Sequence, residues 1–589
     1  MTQPRHTPVQ HSAIRRQLEK ITGHGLFARS ERMARFLRLA VDRTLAGKAD
    51  ELKEYLVGVE VFDRPHTYDP RVDPIVRVEA RRLRSKLKTY YETDGRNDGV
   101  LIEFATGTYV PRIRFRDDPT PEPQPSASTV AVLPFANLSQ NSENDYFSDG
   151  LTEELIHALT KFSGMRVVAW NSAARMRGIG EDVGEVRRQL HVANVLTGSV
   201  RIAGQSLRVR AQLIDTASGV YLWSETFDRQ MQDVFAIQEE IARAIVRTLR
   251  VQMGTGPGTE GATGPRGRAN VRSFDLYLKG RYYLHRRTPA ELRQSLQYFE
   301  AAVAADPSSA LAYAGLADGY CLNVDYGLLH PAQGVPKVKA AATRAIEIDP
   351  GLAEPYPALA VIRAHWDREW ADAERLYRKA IALNPGYATC HHWLATDYLA
   401  AVGRLEEARE EIDIALELDP LSSIIYEGRA SFSTLERQYD EAVGAFRELM
   451  ELDPSFYKAY TGMGRAYSQQ RKYADARAML EKGRSLAGDV PNILAALGQV
   501  CALAGDTKTA RGFLAQLTAM ALEVYVPSTS FAIIHLGLGE IARALDWIEK
   551  GCAQRELAMA MLKVHPVYDP LRGEPRFQAV LQQMKFPNS

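Results

Sequence analysis

Residues 405–420 read LEEAREEIDIALELDP, and residues 439–454 read YDEAVGAFRELMELDP. Both stretches have helical apolar spacing and end on Asp-Pro, which indicates copies of one helical unit. The same Asp-Pro or Asn-Pro mark recurs at five prolines: Pro307, Pro350, Pro385, Pro420 and Pro454. The last three intervals are 35, 35 and 34 residues, and the first is 43. A period near 34 predicts a stack of helix pairs, an architecture that binds other chains and argues against an enzyme in this half.

Within each copy, the small and apolar residues fall on one face of a helix. Ala408, Ile412 and Ala415 are four and three residues apart, and Pro420 stops the helix. Small alanine side chains allow two helices to cross closely. This pattern resembles the tetratricopeptide (TPR) family. The resemblance implies an all-α solenoid over residues 270–589, with about eight helix pairs.

The TPR resemblance also implies a groove that binds a protein or peptide and is lined by the first helix of each pair. Transferring the family's exposed groove positions onto this chain gives eight residues: Asp318, His365, Trp393, Asp397, Glu427, Lys458, Thr461 and Arg465. The alternative for each of them is a solvated helix face. His391 and His392 have no third ligand at helical spacing, so no metal site is predicted.

Composition places the chain among soluble, multidomain proteins. It has 589 residues, 45% hydrophobic and 25% charged, and contains no apolar run near the roughly 20 residues that a bilayer requires. The first 30 residues carry no signal-peptide core, so a cytoplasmic location is expected. Four widely spaced cysteines form no CxxC pair, and we expect buried thiols rather than disulfides or zinc ligands.

Two linkers divide the chain into three modules. Residues 117–128 are rich in proline and small polar residues, and residues 254–269 are rich in glycine. The linkers separate three predicted modules, which span residues 1–116, 129–253 and 270–589. The first module carries 23 Lys and Arg against 15 Asp and Glu, although the whole chain has a net charge of only +1. This asymmetry indicates a basic module with an acidic partner.

The basic module contains the stretch DPIVRVEARRLRSKLKTYY at residues 73–91. Val76, Ala80, Leu83 and Leu87 recur at helical spacing, which predicts a helix with a buried apolar stripe. Five cations stand between them, and a sixth, Lys88, follows Leu87. The following stretch, VLIEFATGTYVPRIRF, has alternating apolar residues on both sides of a Thr-Gly pair, which predicts a β-hairpin.

Helices, a basic helix and a hairpin in this order resemble the winged-helix DNA-binding domain of OmpR/PhoB-type regulators. That family's recognition helix has a Val-x-Val-x-x-x-Arg-Leu-Arg-x-Lys-Leu pattern, which Val76 to Leu87 fit. The resemblance implies an α+β winged helix that binds duplex DNA. Eight residues are expected to face it: Arg77, Arg81, Arg82, Arg84, Ser85, Lys88, Arg112 and Arg114. The alternative is a solvated basic face.

The middle module alternates strands and helices. Its phrases AVLPFANLS, YFSDGLTEEL and YLWSETFDR resemble the TolB amino-terminal-like domain, which implies an α/β fold. Ser148 is expected to cap a helix, since no GxSxG motif surrounds it. No catalytic constellation and no cofactor site is predicted anywhere in the chain.

These observations predict a cytoplasmic transcription regulator in which the winged helix binds DNA and the TPR stack receives a protein or peptide. The alternative is a non-enzymatic TPR interaction scaffold, in which the basic module grips an acidic protein.

Overall fold

The computed structural model describes residues 8–28, 30–46, 48–49, 52–65, 68, 73, 75–92, 94–95, 98–104, 109–115, 126, 128–139, 144–162, 164–178, 182–252 and 270–587. The chain divides into two compact units, Met1–Gln124 and Pro125–Ser589. The division of the chain into three modules with two linkers stays a prediction.

The first unit consists of helices followed by a two-stranded antiparallel sheet. Its elements are α1 (Pro8–Gly23), α2 (Gly25–Ala28), α3 (Glu31–Leu45), α4 (Glu54–Phe62), α5 (Ile75–Glu92), β1 (Val100–Phe104) and β2 (Pro111–Phe115). The helical stripe predicted on α5 is buried, with Val76, Ala80, Leu83 and Leu87 at most 3% exposed. The strands of the predicted hairpin pair from Val100–Phe115 to Phe104–Pro111, while its Thr-Gly turn lies outside the described residues.

The second unit begins with a six-stranded mixed sheet and its helices, which we call the sheet region. Its elements are β3 (Thr129–Val132), β4 (Ala136–Asn137), α6 (Asp145–Thr160), β5 (Arg166–Val167), α7 (Trp170–Arg175), α8 (Val183–Leu190), β6 (Asn194–Ala203), β7 (Ser206–Asp215), β8 (Tyr221–Gln230) and α9 (Val234–Gln252). The strand order is β5-β3-β6-β7-β8, with β4 beside β6. β3 pairs in parallel with β5 and β6, and the last three strands are antiparallel.

The prediction that Ser148 caps a helix is wrong. The helix α6 begins three residues earlier, at Asp145, and Ser148 is buried inside it. Its carbonyl oxygen accepts a hydrogen bond from Thr152 Oγ1, which in turn accepts one from the Phe135 amide. Ser148 is therefore a core position, where α6 is fixed against the end of β3.

The remainder of the second unit, which we call the solenoid, is all-helical, as the ladder predicts. Its helices are α10 (Val271–Arg286), α11 (Pro289–Ala305), α12 (Ala310–Asp325), α13 (Pro331–Ile348), α14 (Pro355–Ile362), α15 (Trp370–Leu383), α16 (Ala388–Trp393), α17 (Ala400–Val402), α18 (Leu405–Leu418), α19 (Ser423–Leu435), α20 (Tyr439–Leu452), α21 (Tyr457–Gln469), α22 (Tyr473–Ala487), α23 (Pro491–Leu503), α24 (Thr507–Met520), α25 (Ser528–Gly537), α26 (Ile541–Ala553) and α27 (Pro575–Gln583). A π-helical turn at Leu394–Leu399 joins α16 to α17.

Each mark of the proline ladder stands at the end of a helix. The residue before each proline is the C-cap of α11, α13, α15, α18 or α20, and its backbone has left the helical conformation. A residue before proline is driven out of the helical conformation, so the mark terminates its helix. The predicted apolar face is fully buried at Ala408, Ile412 and Ala415. The ladder thus marks the ends of the second helices of five consecutive pairs.

Candidate nucleic-acid interface and partner surfaces

The basic helix α5 presents arginines on the side away from its buried stripe. The side chains of Arg77 and Arg82 are 54% and 65% exposed. Arg77 pairs with Glu54 of α4 at 2.9 Å, and Arg82 pairs with Glu79 of its own helix at 2.7 Å. Exposed ion pairs of this kind contribute only about 0.2–1 kcal/mol. Both arginines can therefore exchange their carboxylate for an anionic ligand at little cost.

The remaining residues of the predicted DNA-binding set differ in placement. Arg112 on β2 is exposed and stands opposite Glu103 in the strand register, whereas Arg84 is half-buried. The side chains of Arg81, Ser85, Lys88 and Arg114 lie outside the described part of the chain. A role for the eight residues in binding DNA therefore stays a prediction.

A buried carboxylate, Asp98, fixes the turn that connects α5 to the hairpin. It accepts hydrogen bonds from Gln17 Nε2 at 2.6 Å and from Tyr90 Oη at 2.5 Å, and Lys20 forms an ion pair with it. Although burial opposes the shift, these three donors hold the pKa of Asp98 below its ordinary value. The network joins α1 and the end of α5 at Asp98, two residues before β1 begins.

The expectation that the eight groove residues are exposed is wrong for half of them. Asp318, His365, Trp393 and Thr461 are only 5–7% exposed. The other four are half-buried, and they are Asp397, Glu427, Lys458 and Arg465. That these eight residues bind a partner stays a prediction. The burial of four of them limits their access to a partner but does not test binding.

The end of the described chain contacts earlier repeats of the solenoid. Residues 557–587 fold back onto earlier repeats, where Trp370 Nε1 donates to the carbonyl oxygen of Met584 at 3.0 Å. Arg437 makes two hydrogen bonds to the carboxylate of Asp569, at 2.9 and 2.6 Å. Spacing within a repeat carries no information about such a long-range return of the chain.

The sheet region contacts the solenoid at the first solenoid helix. Arg281 of α10 forms an ion pair with Glu153 of α6, and His285 lies 2.9 Å from the same carboxylate. Asp318, from the next helix pair, lies 3.6 Å from Arg281. Burial raises the pKa of Asp318 to about 7, whereas Arg281 and His285 overcome burial and hold the pKa of Glu153 far below its ordinary value. Asp318 thus belongs to a buried charge network rather than to an open groove.

The Asp of one ladder mark has a second role, which the sequence did not reveal. Asp419 is 1% exposed and accepts hydrogen bonds from Asn171 Nδ2 at 2.8 Å, from the Ser172 amide at 2.8 Å and from Ser172 Oγ at 2.5 Å. Asn171 and Ser172 belong to α7 of the sheet region. The same residue that ends a solenoid helix therefore also binds the sheet region.

Two neighbouring marks contact the sheet region as well. Arg175 Nη2 of α7 donates to Asp453 at 2.7 Å, and Asn384 Nδ2 donates to Thr160 Oγ1 at 3.2 Å. Three successive marks, one repeat apart, therefore contact one surface. The even spacing of these contacts follows from the repeat period. The repeats do not indicate which surface the three marks contact.

The two neighbouring histidines of the solenoid, His391 and His392, and its cysteines are buried. His391 lies 2.6 Å from Glu411 and 3.0 Å from the Pro385 carbonyl oxygen. All four cysteines are buried and free, which confirms the expected buried thiols. In the part of the chain that the structure describes, no group of three His, Cys, Asp or Glu could hold a metal ion. None of the described helices combines the length and apolarity that crossing a bilayer requires.

Known protein families match both the sheet region and the solenoid of the second unit. Residues 126–244 match the second domain of HilA/YgeH-like transcriptional regulators. Residues 394–455 and 434–500 match tetratricopeptide repeat models. The chain carries a HilA-like regulator domain and TPR repeats. Both are non-enzymatic families, and the resemblance of the sheet region to TolB stays a prediction.

Individual relatives cover only parts of the chain. A Rhizobium meliloti (strain 1021) protein named "Putative adenylate cyclase 3" is 37% identical over 214 residues, 36% of either chain. Transcriptional regulator HilA of Salmonella typhimurium is 25% identical over 304 residues, 51% of this chain and 52% of HilA. The chain thus spans about half or less of the length of these relatives. A solved structure of Pseudomonas aeruginosa PilF is 23% identical, covers 38% of this chain and 96% of its own, and has a TM-score of 0.28.

Proposed function

We propose that this chain is a cytoplasmic, DNA-binding transcription regulator whose TPR repeats bind a protein or peptide. The observation that carries the proposal is the basic helix α5, whose apolar stripe is buried while Arg77 and Arg82 stand exposed. The match of residues 126–244 to a regulator domain supports the same function. In this proposal the first unit is a winged helix of the OmpR/PhoB type, and the TolB-like sheet region couples it to the repeats.

The physical argument for DNA is one of charge and shape. The major groove admits an α-helix, and arginine forms paired hydrogen bonds with guanine or with phosphate. The carboxylates that engage Arg77 and Arg82 do so in exposed pairs, which phosphate oxygens can replace. Arg112 on the second strand of the hairpin would contact the backbone beside the groove.

The test is retention of duplex DNA fragments from a genomic library by the intact chain. Arg77→Ala combined with Arg82→Ala should reduce retention about tenfold or more, since each lost base or phosphate contact costs about 1–3 kcal/mol. Arg38→Ala is the matched control, because Arg38 is an exposed arginine of another helix that also pairs with a carboxylate, Glu19.

Equal retention by the double variant and the control would contradict DNA recognition by α5. It would then favour the alternative, in which the basic module binds an acidic protein. Arg81→Glu combined with Arg84→Glu extends the test to the other predicted positions, and this variant should leave partners of the repeats bound.

A further inference from the structure

The second unit contains a cavity of about 1500 Å³, which is larger than most small-molecule sites. Its walls come from α7 of the sheet region, the turn after α10, the end of α12, the start of α21 and the segment between α24 and α25. The cavity therefore lies where the sheet region meets the first and the later repeats. All of the residues that line it belong to the second unit.

One wall of the cavity concentrates positive charge around a tyrosine ring. Lys458 Nζ stands 4.7 Å from the centre of the Tyr326 ring, and Arg287 approaches the same phenol. Although burial acts in the opposite sense, these two cations hold the pKa of Tyr326 below its ordinary value. The potential at this point of the wall is therefore positive.

The two cations are not neutralised by direct partners. Among the described residues, neither Lys458 nor Arg287 forms an ion pair with a carboxylate. Other arginines of the cavity wall differ, since Arg175 pairs with Asp453. A half-buried ammonium without a close carboxylate is costly unless an anion or water completes its contacts.

Nearby acids reduce this positive charge without cancelling it. Asp325, on the cavity wall, and Glu427, farther inside, attract Lys458 from a distance. Arg465 faces Glu427 in turn. The whole lining carries six basic and six acidic side chains, but beside Tyr326 the two cations Lys458 and Arg287 face one carboxylate, Asp325. This local excess of positive charge suits a single negative charge on a ligand.

Another stretch of the lining carries apolar side chains next to two carboxylates, Asp489 and Glu523. Leu486 and Val524 belong to it with 40% and 47% of their surfaces exposed, and Met520 and Val490 lie beside them. Exposing such side chains to water costs about 25 cal/mol per Å² of apolar surface. An occupant with an apolar body would remove this surface from water.

We propose that the cavity binds a small organic monoanion with an apolar body, such as an aromatic or aliphatic carboxylate or sulfonate. Its charged group would lie against Lys458 and Arg287, and its apolar body would lie on Leu486 and Val524. Because the sheet region and the repeats share the walls, such a ligand would bridge them and act as a signal that the repeats receive.

The test is calorimetric titration of the intact chain with naphthalene-2-sulfonate, which joins one anionic group to an apolar ring system. Saturable binding of one molecule per chain is expected. The uncharged naphthalene-2-sulfonamide should bind about tenfold more weakly, because it lacks the charge that Lys458 and Arg287 attract.

Three variants locate the site. Lys458→Met and Val524→Asp should each weaken binding of the sulfonate about tenfold, the first by removing the cation and the second by placing a further carboxylate among the apolar side chains. Lys508→Met is the matched control, since Lys508 is exposed and lies outside the cavity. Val524 is already exposed, so its substitution keeps the test valid even if Lys458→Met fails to fold.

The absence of saturable binding would overturn the proposal. Equal affinity for the sulfonate and the sulfonamide would also overturn it, as would equal affinity in wild type, Val524→Asp and Lys508→Met.

Discussion

Replacing Asp419 by alanine should weaken the attachment of the sheet region to the middle of the solenoid. The Asp419 carboxylate is 1% exposed and accepts from three donors, the Asn171 amide group and the amide and hydroxyl of Ser172. Each buried donor left without an acceptor costs about 1–3 kcal/mol. Burial raises the pKa of Asp419, so removing its charge recovers part of a desolvation cost. We therefore expect the free energy of unfolding to fall by about 3 kcal/mol, which is near the lower end of the total for three donors.

The matched control is Asp306→Ala, at another mark of the ladder. Asp306 is likewise the C-cap of a solenoid helix before proline, but its acceptor contacts are local to the solenoid: the amide and hydroxyl of Ser308 in its own turn and the backbone of Asn270. These donors reach water when the carboxylate is lost, so the expected cost is about 0.5–1 kcal/mol. The two variants separate the helix-ending role of the mark from its role in binding the sheet region.

The assay is urea unfolding of the intact chain followed by tryptophan fluorescence, with hydrogen exchange at the Ser172 amide as a local readout. Asp419→Ala should lower the unfolding midpoint and accelerate exchange at Ser172, whereas Asp306→Ala should leave that exchange unchanged. Equal losses of stability in the two variants, or unchanged exchange at Ser172 in Asp419→Ala, would refute this reasoning.

Two further predictions concern pH and packing. Despite burial, His157, 2.7 Å from Glu354, holds the pKa of that carboxyl at about 2, below its ordinary 4.5. The unfolded chain therefore binds more protons between these pH values, and stability present above pH 4.5 should fall by up to about 3 kcal/mol as pH drops toward 2. Urea midpoints measured across this range should vary less in Glu354→Gln, and an unchanged profile would exclude the pair as the cause. Gly462→Ala places a Cβ 2.3 Å from the Phe446 ring and should cost about 1–3 kcal/mol. Gly444→Ala, in the facing helix with open space around it, should instead stabilise by about 1 kcal/mol, and thermal unfolding that ranks the two variants in the opposite order would contradict the packing described.

The sequence predicts those features whose cause is local. A proline after Asp419 ends a helix wherever that helix packs, and the stripe from Val76 to Leu87 is buried because helical spacing puts its members on one face. Ser148 shows the limit of local reasoning: a serine before an apolar run suits a cap, but the polar residues before it start the helix earlier.

Features that depend on distant segments could not be predicted. Trp370 and Met584 are 214 residues apart, and a 34-residue period does not predict the hydrogen bond between them. Asp318 is less exposed than the family pattern implies, because it lies beside Arg281, which pairs with Glu153 of the sheet region. The pair of Lys458 and Tyr326 is equally non-local, since each residue looks like an ordinary member of its own repeat.

The central claim is that the basic helix α5 binds duplex DNA, and the dependence of affinity on salt tests it most directly. Binding of the intact chain to a labelled duplex, followed by fluorescence anisotropy, should weaken at least about 10³-fold between about 50 and 200 mM salt, as expected for about six phosphate contacts. The slope of log affinity against log salt should fall by about two in the chain that carries both Arg77→Ala and Arg82→Ala. No binding at low salt, or an affinity that salt does not change, would contradict the claim.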